Sequence, residues 1–211
     1  MAHADVKITE VAPWSSGNSP VGADWFELTN TGTSVLNIAG WKMDDNSNSF
    51  ASAVALNGLT SIAVGQSVVF IEGNATAAAS FITNWFGASA PANFAIGYYY
   101  SGSGIGLSTT ADAVNIYNGS GILQANVNFG GSSNAPYQTF DNAAGLNNTA
   151  ISQLSVVGTN GAFVAANSAI EIGSPGVIAA VPEPESYTLM LAGLGLFGFI
   201  ARKRIASKGV L

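Results

Sequence analysis

Asp24-Trp25-Phe26-Glu27-Leu28-Thr29-Asn30-Thr31-Gly32 sets Phe26 and Leu28 on one side of an extended chain and Trp25 and Glu27 on the other. Alternation with a period of two is the pattern of a strand, whose successive side chains point to opposite faces. Asn30-Thr31-Gly32 then supplies the residues of a turn. Upstream, Val6 to Val11 repeats the period, with Val6 and Ile8 on one face. Downstream, Val35 to Met43 contains a third strand, bracketed by Gly32 and Asp44-Asp45. Ser67 to Glu72 (SVVFIE) is a continuous apolar run after a Gly65-Gln66 turn, as expected of a strand buried on both faces. Ala113 to Tyr117 and Ile122 to Phe129 flank Asn118-Gly119-Ser120-Gly121 and predict a hairpin. Ile151 to Val157 and Phe163 to Ala166 predict a late strand pair. Only Ala77 to Phe86 has helical spacing, through Ala78, Phe81 and Trp85. Short strands at this spacing predict an all-β sandwich or barrel. Trp25 and Trp41 would fill the space where its sheets meet, each with an indole N–H in need of a partner. Pro175 would stop the last strand.

The composition narrows the function. Charged residues make up 9% of 211 residues, and four of the six Lys and Arg lie at the end: Arg202, Lys203, Arg204 and Lys208. The body is strongly acidic, so bulk electrostatics argue against nucleic acid as a partner. The chain has no cysteine, which excludes disulfides, thiolate metal sites and cysteine nucleophiles. Its one histidine, His3, lies in Ala2-His3-Ala4, a small-residue pattern that fits a signal-peptidase cleavage region. Residues 1–4 are therefore expected to be the remnant of that region, with a start placed too late or a trimmed chain.

The C-terminus divides into three parts. Residues 179–186 hold Val181-Pro182-Glu183-Pro184-Glu185, which two prolines keep extended. Residues 187–201 (YTLMLAGLGLFGFIA) are uncharged and, as a helix, span about 22 Å. Glu185, Ser186 and the stem of Arg202 bring this segment near the lower limit for crossing a bilayer. Residues 202–211 open with Arg202-Lys203-Arg204, a basic stop-transfer cluster that the positive-inside rule puts in the cytoplasm. Gly193-Leu194-Gly195-Leu196-Phe197-Gly198 matches a dinucleotide fingerprint in letters only, since it sits inside the apolar run with no strand before it.

The succession of Pro182-Glu183-Pro184, apolar helix and Arg202-Lys203-Arg204 closely resembles the PEP-CTERM sorting signal of Gram-negative bacteria. The resemblance implies export by the general secretory machinery, recognition by a membrane-embedded exosortase, and transient anchoring in the inner membrane with the body outside the cytoplasm. It also implies delivery to the cell surface or medium of bacteria that make exopolysaccharide and form biofilm. Ile8-Thr9-Glu10-Val11, the stretch 24–32 and Leu36-Asn37-Ile38-Ala39-Gly40-Trp41-Lys42-Met43-Asp44 resemble the opening of a lamin tail domain. The hairpin 113–130 and Gly173-Ser174-Pro175-Gly176 are similar to later parts of that domain. This second resemblance covers residues 5–178. It implies an immunoglobulin-like β-sandwich, followed here by a single C-terminal hydrophobic helix, with a binding or scaffolding role and no reaction.

No G-x-S-x-G or H-E-x-x-H occurs, and one histidine cannot build a His-based triad. Three candidate sites remain. Asp44-Asp45-Asn46-Ser47-Asn48 is an oxygen-rich loop whose Asp44 and Asp45 could take calcium or, as an Asx-rich turn, bind only their own backbone. Glu10, Asp24, Glu27, Asp44 and Asp45 could include a hydrolytic carboxylate pair, tested at Asp24 and Glu27, while Glu10 and Glu27 could instead cap backbone amides or pair with Lys7 or Lys42. Tyr98-Tyr99-Tyr100 could present a platform for sugars, or alternate in burial along a strand. The leading expectation is an exported, non-enzymatic surface or matrix protein. The alternatives are a secreted hydrolase and a calcium-assisted carbohydrate-binding module.

Overall fold

In a computed structural model, residues 6–14, 22–100, 104–146 and 150–178 are described. They belong to a unit that ends at Ala179. The expected cleavage remnant at 1–4, the linker 179–186, the apolar helix 187–201, the basic end 202–211, and with them Pro182, Glu183, Pro184, Arg202, Lys203 and Arg204, lie outside the described residues. Among the described residues no helix is long and apolar enough to cross a membrane.

Strand β1 (Val6–Ala12) pairs antiparallel with β2 (Trp25–Asn30). The third expected strand is two short ones, β3 (Leu36–Asn37) and β4 (Lys42–Asp44). Between them the chain turns, with Ala39 N–H donating to the Asn37 side chain (2.9 Å) and Trp41 N–H to the Ile38 carbonyl (3.1 Å). Next come β5 (Val54–Asn57), β6 (Ser61–Ile62) and the expected apolar strand β7 (Ser67–Glu72). Helix α1 (Ala75–Phe86) starts two residues before the helical spacing does. The side chain of Asn74 caps it, accepting from the N–H groups of Thr76 and Ala77. Strand β8 (Ile96–Tyr99) follows and runs parallel to β7, with α1 as the crossover. The predicted hairpin is β9 (Asp112–Tyr117) and β10 (Leu123–Phe129).

The last part of the body departs from expectation. It contains β11 (Tyr137–Gln138), one helical turn α2 (Asn142–Gly145), β12 (Ala150–Ile151), β13 (Phe163–Val164) and β14 (Glu171–Gly173). The two late segments do not pair with each other. Strand β12 joins β10 in parallel, and β13 joins β14, which also pairs with β11. Pro175 follows β14, which has already ended at Gly173.

The main sheet has the order β1-β2-β7-β8-β5-β4-β9-β10-β12. Strand β5 belongs to both halves: Val54 and Ala55 pair with β4, and Leu56 and Asn57 pair with β8. Val6 and Ile8 of β1 share one apolar cluster with Val127 and Phe129 of β10, although these strands stand far apart in the order. The sheet therefore doubles over, and the two halves enclose a core that includes Phe26, Leu28, Trp41, Met43, Phe70 and Ile116. This is a two-layered all-β body of immunoglobulin-like kind.

The second face of β1, β2 and β7 is covered as well. Trp25, Val69 and Ile71 lie there with Ala78, Phe81 and Trp85 of α1. These three helix residues repeat at a spacing that forms one stripe. The Trp25 ring meets those of Phe81 and Trp85 edge-on, at 5.3 and 5.7 Å between centroids. Trp25 thus packs under the helix and not between the sheets as the sequence suggested, because alternation along β2 turns it away from Phe26. Trp41 does lie between the layers. Burial of Trp85 is nearly complete, so Trp85→Ala is expected to cost about 3–5 kcal/mol. Val35→Ala, at a side chain 64% exposed, should stay within about 0.5 kcal/mol. Urea unfolding of both variants checks the pair.

Candidate functional site

A β-bulge builds the most unusual feature of the body. The register of β1 on β2 runs Val6↔Asn30, Lys7↔Thr29, Ile8↔Leu28 and then shifts, so that Glu10 stands opposite Glu27 and Val11 opposite Phe26. Thr9 is the inserted residue. Without the shift, Glu10 would point with Ile8 into the apolar core. With it, Thr9 and Glu10 both turn to the second face, and two glutamates become direct cross-strand neighbours.

Both carboxylates are fully buried. Glu27 accepts at Oε1 from the Thr9 hydroxyl (2.6 Å) and at Oε2 from Gly176 N–H (2.6 Å). Glu10 accepts at Oε1 from Ser174 N–H (2.7 Å) and from the Thr139 hydroxyl. Its Oε2 has no hydrogen-bond partner among the described residues. Each carboxylate ends a run of hydroxyls. Thr9 contacts Thr29 (2.9 Å), and Thr29 contacts Ser67 (2.7 Å). On the other side Thr139 contacts Ser155 (2.7 Å). The two amide donors sit in Gly173-Ser174-Pro175-Gly176. A Cβ at residue 173 would lie 2.8 Å from Glu10 Oε1, and Gly176 has φ +81°, so glycine suits both positions.

Burial raises the affinity of both groups for protons. It pushes Glu27 from 4.5 up to about 7, against the hydrogen bonds from Thr9 and Gly176. Burial and then the neighbouring Glu27 charge raise Glu10 well above the usual carboxylate range. The sequence offered amide capping or a lysine for these residues. The structure supplies amides and hydroxyls, while Lys42 Nζ stands 4.7 Å from the centre of the Phe50 ring. Sequence reasoning missed Thr139, Ser155 and Ser67. The only written signal is the threonine beside each glutamate, Thr9 next to Glu10 and Thr29 two positions after Glu27.

The other candidates are placed differently. Asp24 is buried and accepts from Leu107 N–H (2.7 Å). The glutamate brought opposite Glu27 is Glu10, not Asp24, and residues 173–176 close over that pair. Asp44 is buried, and its carboxylate accepts from the Ser47 hydroxyl (2.7 Å), Ser49 N–H (2.7 Å) and the Ser52 hydroxyl (3.1 Å). Asp45 accepts from Ser47 N–H (2.9 Å). The loop's own donors bond to both carboxylate oxygens of Asp44 and to one of Asp45. Among the described residues no group of three or more acidic or histidine side chains could hold a metal ion. The tyrosines divide between faces: Tyr99 is fully buried in the first core, Tyr98 packs against the second, and Tyr100 is 71% exposed. Burial, then the charges of Asp24, Glu72 and Asp112, raise the Tyr99 phenol further and keep it neutral. The three rings form no common platform.

Comparison with known families gives two matches. A family model described as Lamin Tail Domain matches residues 1–131, and one described as PEP-CTERM protein-sorting motif matches residues 180–204. Among curated proteins none matches the chain.

Two measurements check the site. Folded Glu27 holds a proton between pH 4.5 and about 7 that the unfolded chain has released. The stability it contributes is complete below 4.5 and is lost as pH rises through 7, an amount on the order of 3 kcal/mol. In Glu27→Gln that part of the pH dependence disappears, as read by urea unfolding across the range. Asp44→Ala leaves three donors without their acceptor and should cost about 1–3 kcal/mol. Thermal melts with and without calcium should show the same loss.

Proposed function

The chain belongs to the lamin tail domain family, and from that premise we propose that it is a surface or matrix protein whose sandwich binds or scaffolds and whose tail directs its sorting. The PEP-CTERM motif implies an exported protein recognised by an exosortase. Neither matched family is catalytic. Residues 187–201 anchor the chain transiently in the inner membrane, with Arg202, Lys203 and Arg204 retained on the cytoplasmic side. Pro182-Glu183-Pro184 is then offered outside as an extended segment, the form in which a protease or transpeptidase cleft takes a peptide.

The observation that carries this reading is the order of parts along the chain. The domain unit ends at Ala179 and the sorting motif begins at residue 180. Ten residues separate Gly176, held by Glu27, from Tyr187, where the apolar run begins. Fully extended they reach at most about 40 Å. The body is therefore held near the bilayer until the tail is processed, then released as a sandwich without that anchor.

Cell fractionation tests the sorting step. Replacing Pro182, Glu183 and Pro184 together by alanine should retain the protein in the inner-membrane fraction with its tail uncut. The parent chain should appear at the surface or in the medium, shorter by the mass of the cut tail. Identical distribution and mass of the two forms would remove the sorting reading.

A further inference from the structure

The segment that closes the second face is also the last stretch of the body before the tail. Two of its amides are held by the buried glutamates, Ser174 by Glu10 and Gly176 by Glu27. Backbone donors favour ionised acceptors, but two ionised carboxylates at adjacent cross-strand positions repel without water to screen them. Ionising both carboxylates therefore weakens the site.

The groups around the pair leave little to replace that proton. Between Ile172 and Ile178 the closing segment has no ionisable side chain. Strand β7 presents Ser67. Strand β1 presents Lys7, opposite Thr29 in the register, and hydrogen bonds, not a cation, are what lower the proton affinity of either glutamate. Beyond β11, Asp141 is engaged by Ala143 N–H and Asn160. Glu171 accepts from Asn84 at the end of α1.

A route for the proton is present. A surface recess of about 320 Å³ is lined by Gln66, Ser67, Asn93 and Gly176, among others. Ser67 contacts Thr29, Thr29 contacts Thr9, and Thr9 reaches Glu27 Oε1, at 2.7, 2.9 and 2.6 Å. Each hydroxyl can donate on one side and accept on the other, so the row links solvent to the dyad.

We propose that residues 171–178 are a proton-held strap, seated while the Glu10–Glu27 pair keeps a proton and unseated when both carboxylates ionise. Unseating breaks the bonds at Ser174 and Gly176 together with those from the Asn142 side chain to Ser174 Oγ and the Val177 carbonyl, and lengthens the stretch that can extend ahead of Pro182. With Gly176 fixed, six residues reach Pro182, at most about 22 Å. Freed back to Glu171, eleven residues reach it, about 40 Å. The strap would therefore set how far the sorting segment can travel from the domain. That last link rests on the proposed sorting function; the strap does not.

Hydrogen exchange on the full-length chain in detergent tests the strap without any sorting enzyme. After correction for intrinsic exchange, protection of peptides covering 171–178 should fall about tenfold or more between about pH 5.5 and pH 8.5. Peptides from the β9–β10 hairpin should keep theirs. The double variant Glu10→Gln, Glu27→Gln should show the same protection of 171–178 at both values. Equal protection in the parent chain, a parallel fall in the hairpin, or a persistent fall in the double variant would overturn the proposal. Should the double variant not fold, carboxyl-labelled glutamate in the parent chain gives the answer by NMR. The chain has six glutamates; two must titrate well above the ordinary range, and six ordinary titrations would overturn the strap.

Discussion

Strands β1, β2 and β7 are covered on both faces, and each polar side chain on the second face must find its partner inside the protein. Water cannot help where Thr9, Glu10, Glu27 and Thr29 are all buried. The face meets this demand with a connected row of hydroxyls that ends on two carboxylates, which in turn take backbone amides from residues 173–176. Removing any one member leaves a neighbour unsatisfied at low dielectric. The course of the last stretch of the body follows from this need.

The same sheet therefore carries two unlike interiors. One is apolar and fills the space between the layers, from Val6 to Phe129. The other is divided along its length, with a tryptophan-rich zone under α1 and a hydroxyl–carboxylate zone under the closing segment. A single inserted residue sets the border. The bulge at Thr9 turns Glu10 out of the apolar core, and the register recovers by Val11. The Lamin Tail Domain match ends at residue 131, so the amide donors at 174 and 176 lie beyond it while both glutamates lie within it.

Much of this was legible in the sequence. Strands β1, β2 and β7, helix α1 and the β9–β10 hairpin each run long enough to show a period or carry a turn signal. Strands β3, β6, β11, β12 and β13 span two residues each, too short for any period, and tertiary pairing alone defines them. That is why the late segments were matched with each other in sequence but pair elsewhere in the fold. The glutamates at 10 and 27 stood out as acids on strands. Their meeting depends on a register shift, which no residue of β1 announces. Amide capping was foreseeable; its donors, more than a hundred positions away, were not. The tail carries its signal in the fixed order of Pro-Glu-Pro, apolar run and basic end, which resembles the sorting motif matched at residues 180–204.

The closing segment also has a mechanical meaning. A pull on the chain beyond Ile178 meets first the Val177 carbonyl, which accepts from the Asn142 side chain, and then the amides of Gly176 and Ser174, clamped by glutamates from two adjacent strands. Strand β14 behind them pairs only with two-residue strands, so it resists traction weakly by itself. Traction on this end of the chain would thus be borne by the Asn142 bond and the carboxylate clamp before it reached the longer ladders of the sandwich. A domain tied down in this way can yield a few residues at its trailing end and keep its layers intact.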